Sequence, residues 1–280
     1  MSVRGRPVPA WSSSSRVRPR PPSHVARAVG HRHNLTVLAP PLDFCAIEKV
    51  ASSQWRTVQC LLNEGQGRAD GRPCPLDGAR LRDRGTSRAA ARAVFFRDPL
   101  ERLLSGYLNK CEDAAIRRAQ GHCEPKSVFD DAEMMQGLRQ DPRQLFAAFV
   151  DAFPLTWDVH FFPQSLYCDL VFRHVRDYDF VGIMDGHFFR HLQNMSAVFP
   201  HRLPDVLDEV FHASREVAAP GRGRLVGTET NAAARARDYY TAASVRRALE
   251  YFAVDYVRLG LAIPDWVHAV LAEEGRPFAG

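Results

Sequence analysis

With 280 residues, 45% hydrophobic and 25% charged, the chain has the make-up of a globular protein with room for one α/β-sized domain and appendages. That composition excludes a wholly disordered, collagen-like or coiled-coil protein, and charge or proline interrupts every apolar stretch before the roughly 18 residues a membrane span requires. A net charge of +5 allows an anionic partner, and all but three of the 37 basic residues are arginine, the exceptions being Lys49, Lys110 and Lys126.

Residues 1–40 are rich in Arg, Ser and Pro and contain no acid, which predicts a disordered basic tail ahead of the alternative, a transit peptide. From Asp43 the pattern changes. Asp43 to Glu48 reads as a short buried strand, Ala51-Ser52-Ser53 as a loop of small residues, and Trp55, Val58 and Leu62 as the apolar positions of a helix. Residues 64–91, rich in Gly, Arg, Asp and Pro, predict an exposed insertion. Ala93-Val94-Phe95-Phe96 predicts a second strand. Asp98 is a natural N-cap with Pro99 at the first helical position, and Leu100, Leu103, Leu104, Tyr107, Leu108 and Cys111 follow at helical spacing.

Downstream, Asp141-Pro142 opens another capped helix, Tyr178 to Ile183 reads as a third strand, and Phe188 to Phe199 as the helix after it. Residues 218–237 show no periodicity and predict a mobile loop, and a helix is expected near 241–258. Repeated strand, loop and helix units predict an α/β fold, a parallel sheet flanked by helices with ligands at the carboxyl ends of its strands. The expected core spans residues 41–270, with a C-terminal tail at 271–280.

Six cysteines, none in a C-x-x-C pair, argue against structural zinc and permit disulfides in a lumenal protein, a compartment that the sequons at Asn34 and Asn194 would suit. His187 and His191 stand four apart without a third ligand nearby and read as a helix surface, so no metal site is expected.

Two strand-to-helix loops carry chemistry. In Glu48 to Trp55, small residues let backbone N–H groups approach an anion, Lys49 supplies a full charge, and Ser52 and Ser53 supply hydroxyls. The nucleotide P-loop pattern is absent. In the second loop, Arg97 ends a predicted strand, and Ser105 lies about 120° from the centre of the following leucine stripe, so both can grip one anion. Each loop also has a plain reading as a capped helix start with solvated charge.

Together these segments resemble the carbohydrate sulfotransferases that include the chondroitin 4-O- and HNK-1-type enzymes. Cys45 to Trp55 looks like their 5′-phosphosulfate loop, and Phe96 to Lys110 like their 3′-phosphate motif. Asp158 to Gln164 with Cys168, and Tyr178 to Gly182, follow in the family's order, as do Tyr239-Tyr240, Asp255-Tyr256 and Pro264-Asp265-Trp266. Glu48 departs from the pattern, standing where the family usually has proline. So does the stretch after Cys168, which has no second cysteine to pair locally.

The resemblance implies a PAPS-dependent sulfotransferase fold with helical additions, and transfer of a sulfuryl group from 3′-phosphoadenosine 5′-phosphosulfate (PAPS) to a glycan hydroxyl without a metal. It implies that Lys49, Val50, Ala51, Ser52, Ser53, Gln54 and Trp55 hold the 5′-phosphosulfate and that Arg97 and Ser105 hold the 3′-phosphate. Lys49 would assist the leaving group, and His160 is the nominated base, with Glu48 and Asp158 as further candidates. Gln164 and Trp157 would line the acceptor groove. The family expectation is a Golgi-lumenal glycoprotein with a glycan acceptor and no nucleic acid partner; the family's membrane anchor has no counterpart in this sequence, so a soluble form is the alternative expectation. Two other readings stand beside it: a non-catalytic basic protein of the same fold that binds glycan or nucleic acid, and a P-loop-like kinase.

Overall fold

The computed structural model describes residues 34–38, 41–64, 91–112, 141–152, 158–168, 170, 175–199, 202–217 and 231–273. Four strands form one sheet in the order β1 (Asn34–Leu38), β2 (Pro41–Cys45), β3 (Ala91–Phe96) and β4 (Phe180–Ile183). β2, β3 and β4 run parallel, while β1 folds back antiparallel to β2, with Thr36 opposite Asp43. The predicted α/β class is therefore what the chain adopts, with one antiparallel edge added.

The helices are α1 (Ser52–Glu64), α2 (Pro99–Lys110), α3 (Pro142–Ala152), α4 (Phe188–Val198), α5 (Leu203–Val217), α6 (Ala232–Tyr239), α7 (Ala242–Leu259) and α8 (Asp265–Glu273). Single 3-10 turns occupy Val159–Phe161, Gln164–Leu166 and Val175–Asp177. Two apolar cores result. One joins the sheet to α1, α4 and α5, and is dense in rings: Trp55 stacks on Phe44 at 4.0 Å and meets Phe95 at 5.0 Å and Phe211 at 5.1 Å. The other gathers α2, α3, α6, α7 and α8 around the leucine stripe of α2.

Three expectations need correction. Residues 34–38 lie inside the predicted tail yet form β1, because alternating Leu35 and Val37 bury against the sheet and the Thr36 hydroxyl donates to Asp43 at 3.0 Å. Residues 232–237 lie inside the predicted loop yet form most of α6. Alanine is the best helix former, and Ala232 and Ala236, one turn apart, are fully buried in the second core. The C-terminal tail begins later than expected, since α8 runs to Glu273. Residues 65–90 of the predicted 64–91 insertion, Trp157 and most of the N-terminal tail lie outside the described residues, while Glu64 ends α1 and Ala91 begins β3.

The disulfide pattern is long-range rather than local. Cys45, the last residue of β2, bonds Cys168 across a sequence separation of 123, and Cys60 and Cys111 are also disulfide-bonded.

Candidate active site

The site forms where β2 and β3 end. After Cys45 the chain turns through Ile47 to Ala51, with the Val50 N–H donating to the Ile47 carbonyl at 3.1 Å. Lys49 and Ala51 sit at φ of +67° and +56°, the left-handed region that costs a side-chain-bearing residue about 1 kcal/mol or more. Such alternation curls backbone N–H groups toward one side, the geometry of an anion nest. The first α1 amide bonded within this turn is that of Trp55, to Ala51 O at 3.0 Å, so the amides of Ser52, Ser53 and Gln54 have no intrahelical acceptor.

Arg97 follows the last residue of β3. Gln164 clamps its backbone from both sides, accepting from Arg97 N–H at 3.0 Å and donating to Arg97 O at 2.7 Å. Gln164 is held in turn by Asp255 of α7, whose carboxylate accepts from Gln164 N–H at 2.7 Å and Ser165 N–H at 2.9 Å. Asp98 caps α2 by accepting from Leu100 and Glu101 N–H, and receives the Tyr256 hydroxyl at 2.6 Å. Among the described residues the guanidinium of Arg97 is ion-paired with Glu101. Its Nε lies 3.6 Å from Glu101, beyond hydrogen-bond range, and is buried with no hydrogen-bond partner among the described residues.

Charge is concentrated here. Burial first, then the neighbouring cations Lys110, Arg97 and Arg102, push the Lys49 ammonium down to about 7, with Glu48 opposing. Burial likewise lowers Arg97, against Glu101 and Asp98. A cluster of like charges taken out of water is costly unless an anion joins it, so the arrangement suits a phosphate- or sulfate-bearing ligand.

Arg102 was not among the predicted site residues, and it ties the pieces together. Fully buried on α2, it donates from Nε to Glu48 O at 2.7 Å and from its terminal nitrogens to Phe162 O at 2.6 Å, the Tyr167 hydroxyl at 3.0 Å and Val159 O at 3.4 Å. It therefore joins the Lys49 loop to the segment bearing His160. Asn109, also missed, accepts from Lys49 Nζ at 3.0 Å. Arg102, Ser105 and Asn109 share one face of α2 at i, i+3 and i+7, a polar stripe that the sequence already carried. Ser105 is buried on that face rather than solvated.

His160 lies close by. Its Nδ1 pairs with Asp158 at 2.6 Å and its Nε2 stands 4.0 Å from Glu48. Glu48 itself receives Arg56 at 2.5 Å and the Ser52 hydroxyl at 2.7 Å. Ser52 has a single proton, which it gives to Glu48 in this structure.

The geometry removes some predicted roles. The Trp55 side chain points into the sheet core and its N–H is used by Ala51, so it offers the anion loop nothing. Val50 is buried in the same core and its N–H closes the Ile47 turn. Gln164 is fully buried and spends its amide on Arg97, which makes it a backbone clamp instead of an acceptor-groove residue. His187 stays at the exposed start of α4, and no metal-binding group occurs among the described residues.

The Sulfotransferase family model matches residues 39–261, a span that holds both loops, the His160 segment and the α7 clamp. The chain belongs to the sulfotransferase family. No curated protein and no solved structure matches it. Its chemistry is sulfuryl transfer to an acceptor.

Proposed function

We propose that this sulfotransferase takes its sulfuryl group from PAPS and delivers it to a hydroxyl of a glycan. The observation that carries the reading is the pairing of Lys49, depressed by burial and like charge, with Arg97, a buried guanidinium whose Nε lacks a hydrogen bond among the described residues. The two stand at the ends of neighbouring parallel strands, where α/β sheets bind ligands. The resemblance of the two loops to phosphosulfate- and phosphate-binding motifs supports the same donor.

In this reading Lys49 and the amides of Ala51, Ser52, Ser53 and Gln54 take the 5′-phosphosulfate, and Arg97 with Ser105 takes the 3′-phosphate. PAPS supplies a sulfuryl group on a phosphate leaving group. Lys49 places positive charge on the oxygen that leaves, and His160 removes the proton of the attacking hydroxyl. The role needs no metal. The glycan acceptor follows from resemblance alone. The Golgi lumen is the proposed location, supported by bonded Cys45, Cys60, Cys111 and Cys168, since disulfides persist in oxidising compartments.

The test is calorimetric binding of 3′-phosphoadenosine 5′-phosphate (PAP), without magnesium, to wild type and Arg97→Ala. Charge-assisted contacts contribute about 1.5–3 kcal/mol, so the variant should bind roughly 10- to 150-fold more weakly. A folded wild type that binds no PAP would overturn the donor assignment and favour a basic binding protein of the same fold.

A further inference from the structure

We infer that Asp158 is the positioning residue that fixes the proton of His160 on Nδ1 and so presents Nε2 as the proton acceptor; this rests on the reading of His160 as the base. The geometry is local and constrained. One oxygen of Asp158 accepts the backbone N–H of His160 at 2.9 Å and faces the ring Nδ1 of the same residue at 2.6 Å. The carboxylate thus sets both the backbone turn and the ring. The turn is held from below by Arg102, which binds the carbonyls of Val159 and Phe162, and by the Tyr167 hydroxyl, which donates to Val159 O.

Among the described residues, the carboxylates of Asp158 and Glu48 face the ring, and they differ in distance. Glu48 stands 4.0 Å from Nε2, outside hydrogen-bond range, and its oxygens receive Arg56 and the Ser52 hydroxyl. Asp158 at 2.6 Å is a strong, charge-assisted acceptor. A carboxylate on Nδ1 requires the proton there, because a lone pair aimed at an anion is repelled. Nε2 then carries the ring's basic lone pair, and it lies on the side of Glu48, the residue before Lys49.

The proton balance is simple. The acceptor oxygen forms a bond to sulfur as the bond from sulfur to the phosphate oxygen breaks. The hydroxyl proton moves to Nε2, and the resulting imidazolium is stabilised by Asp158, which itself stays ionised. Solvent later removes that proton.

The experiment uses the full chain. Histidine ring ¹⁵N spectra at pH 8.5, with the His160 signals assigned by their loss in His160→Ala, should show a protonated Nδ1 and an unprotonated Nε2 in wild type. A ring protonated on Nε2 overturns the proposal without any variant. Asp158→Asn keeps an N-cap acceptor, so its melting temperature should stay near wild type while the ring loses its single tautomer. Asp158→Glu, which restores the charge, should recover the Nδ1 proton in part. With labelled PAPS and desulfated chondroitin, Asp158→Asn should lose at least 100-fold in kcat while binding of PAP changes less than threefold. If His160→Ala keeps full kcat, the base reading itself fails. If His160→Ala is inactive but Asp158→Asn keeps both kcat and the tautomer, only the role of Asp158 fails.

Discussion

Lys49 Nζ donates to the side-chain oxygen of Asn109 across 3.0 Å, joining the loop after β2 to the last turn of α2. The partner is neutral, burial disfavours the ammonium most, and the neighbouring cations Lys110, Arg97 and Arg102 add to it against Glu48. The ionisation of Lys49 is therefore poised to respond to an anion.

That poise makes donor binding pH-dependent. With Lys49 lowered to about 7 in the folded protein, the unfolded chain binds the extra proton up to its ordinary value of 10.5. Stability without ligand therefore falls as pH drops from 10.5 toward 7. A dianion favours the charged form, so PAP binding should take up close to one proton at about pH 8.5 and almost none at about pH 6. Affinity should weaken by up to roughly tenfold per pH unit above neutrality. Calorimetry in buffers of different ionisation enthalpy measures the uptake, and Lys49→Arg should abolish it. A flat profile in wild type would remove Lys49 from the anion site.

Arg102 should be a large stability determinant although its hydrogen bonds among the described residues go to carbonyls and a hydroxyl. Replacing it with Met removes the buried guanidinium that donates to the carbonyls of Glu48 and Phe162 and to the Tyr167 hydroxyl. The expected cost is about 3–5 kcal/mol, seen as a fall in melting temperature on the order of 10 °C. Arg102→Lys should recover little, because a single ammonium cannot span three directions.

Gly106 lets α2 lie against the His160 segment. A Cβ there would sit 2.6 Å from Cε1 of fully buried Phe161. Gly106→Ala should therefore displace Phe161, destabilise by about 1–3 kcal/mol and lower turnover more than PAP affinity. Unchanged melting and turnover would show that the ring moves aside without cost.

The Cys45–Cys168 bond should support the loop that begins one residue after Cys45. Cys45→Ala/Cys168→Ala removes a cross-link across 123 positions of chain, for an expected loss of about 2–4 kcal/mol. PAP affinity should fall with it, since the turn at Lys49 and Ala51 needs its strained backbone held in place. Chemical denaturation and calorimetry on the double variant check both.

Much of the site was legible because its chemistry is local. Asp98, Pro99 and the leucine spacing specify α2 through capping and periodicity, and that alone orients Ser105 away from the leucine core. Lys49 is marked by the scarcity of lysine, and the small residues after it by the needs of a helix start. Trp55 and Val50 misled for a related reason: neighbours in a motif share a segment but face opposite ways, and only packing on Phe44 and Phe95 shows which way Trp55 turns.

The sequence by itself determined the α/β alternation, the positions of α1, α2 and α7, and the two cationic loops, because each rests on contacts within a few residues. Tertiary structure alone decided the strand status of 34–38, the helix at 232–239, the Cys45–Cys168 pairing and the meeting of Glu48, Arg56, Arg102, Asp158 and His160. Apart from the neighbouring Asp158 and His160, those depend on partners from 7 to more than 100 residues away, such as Thr36 with Asp43 and Cys45 with Cys168, whose energies appear only when the chain closes on itself.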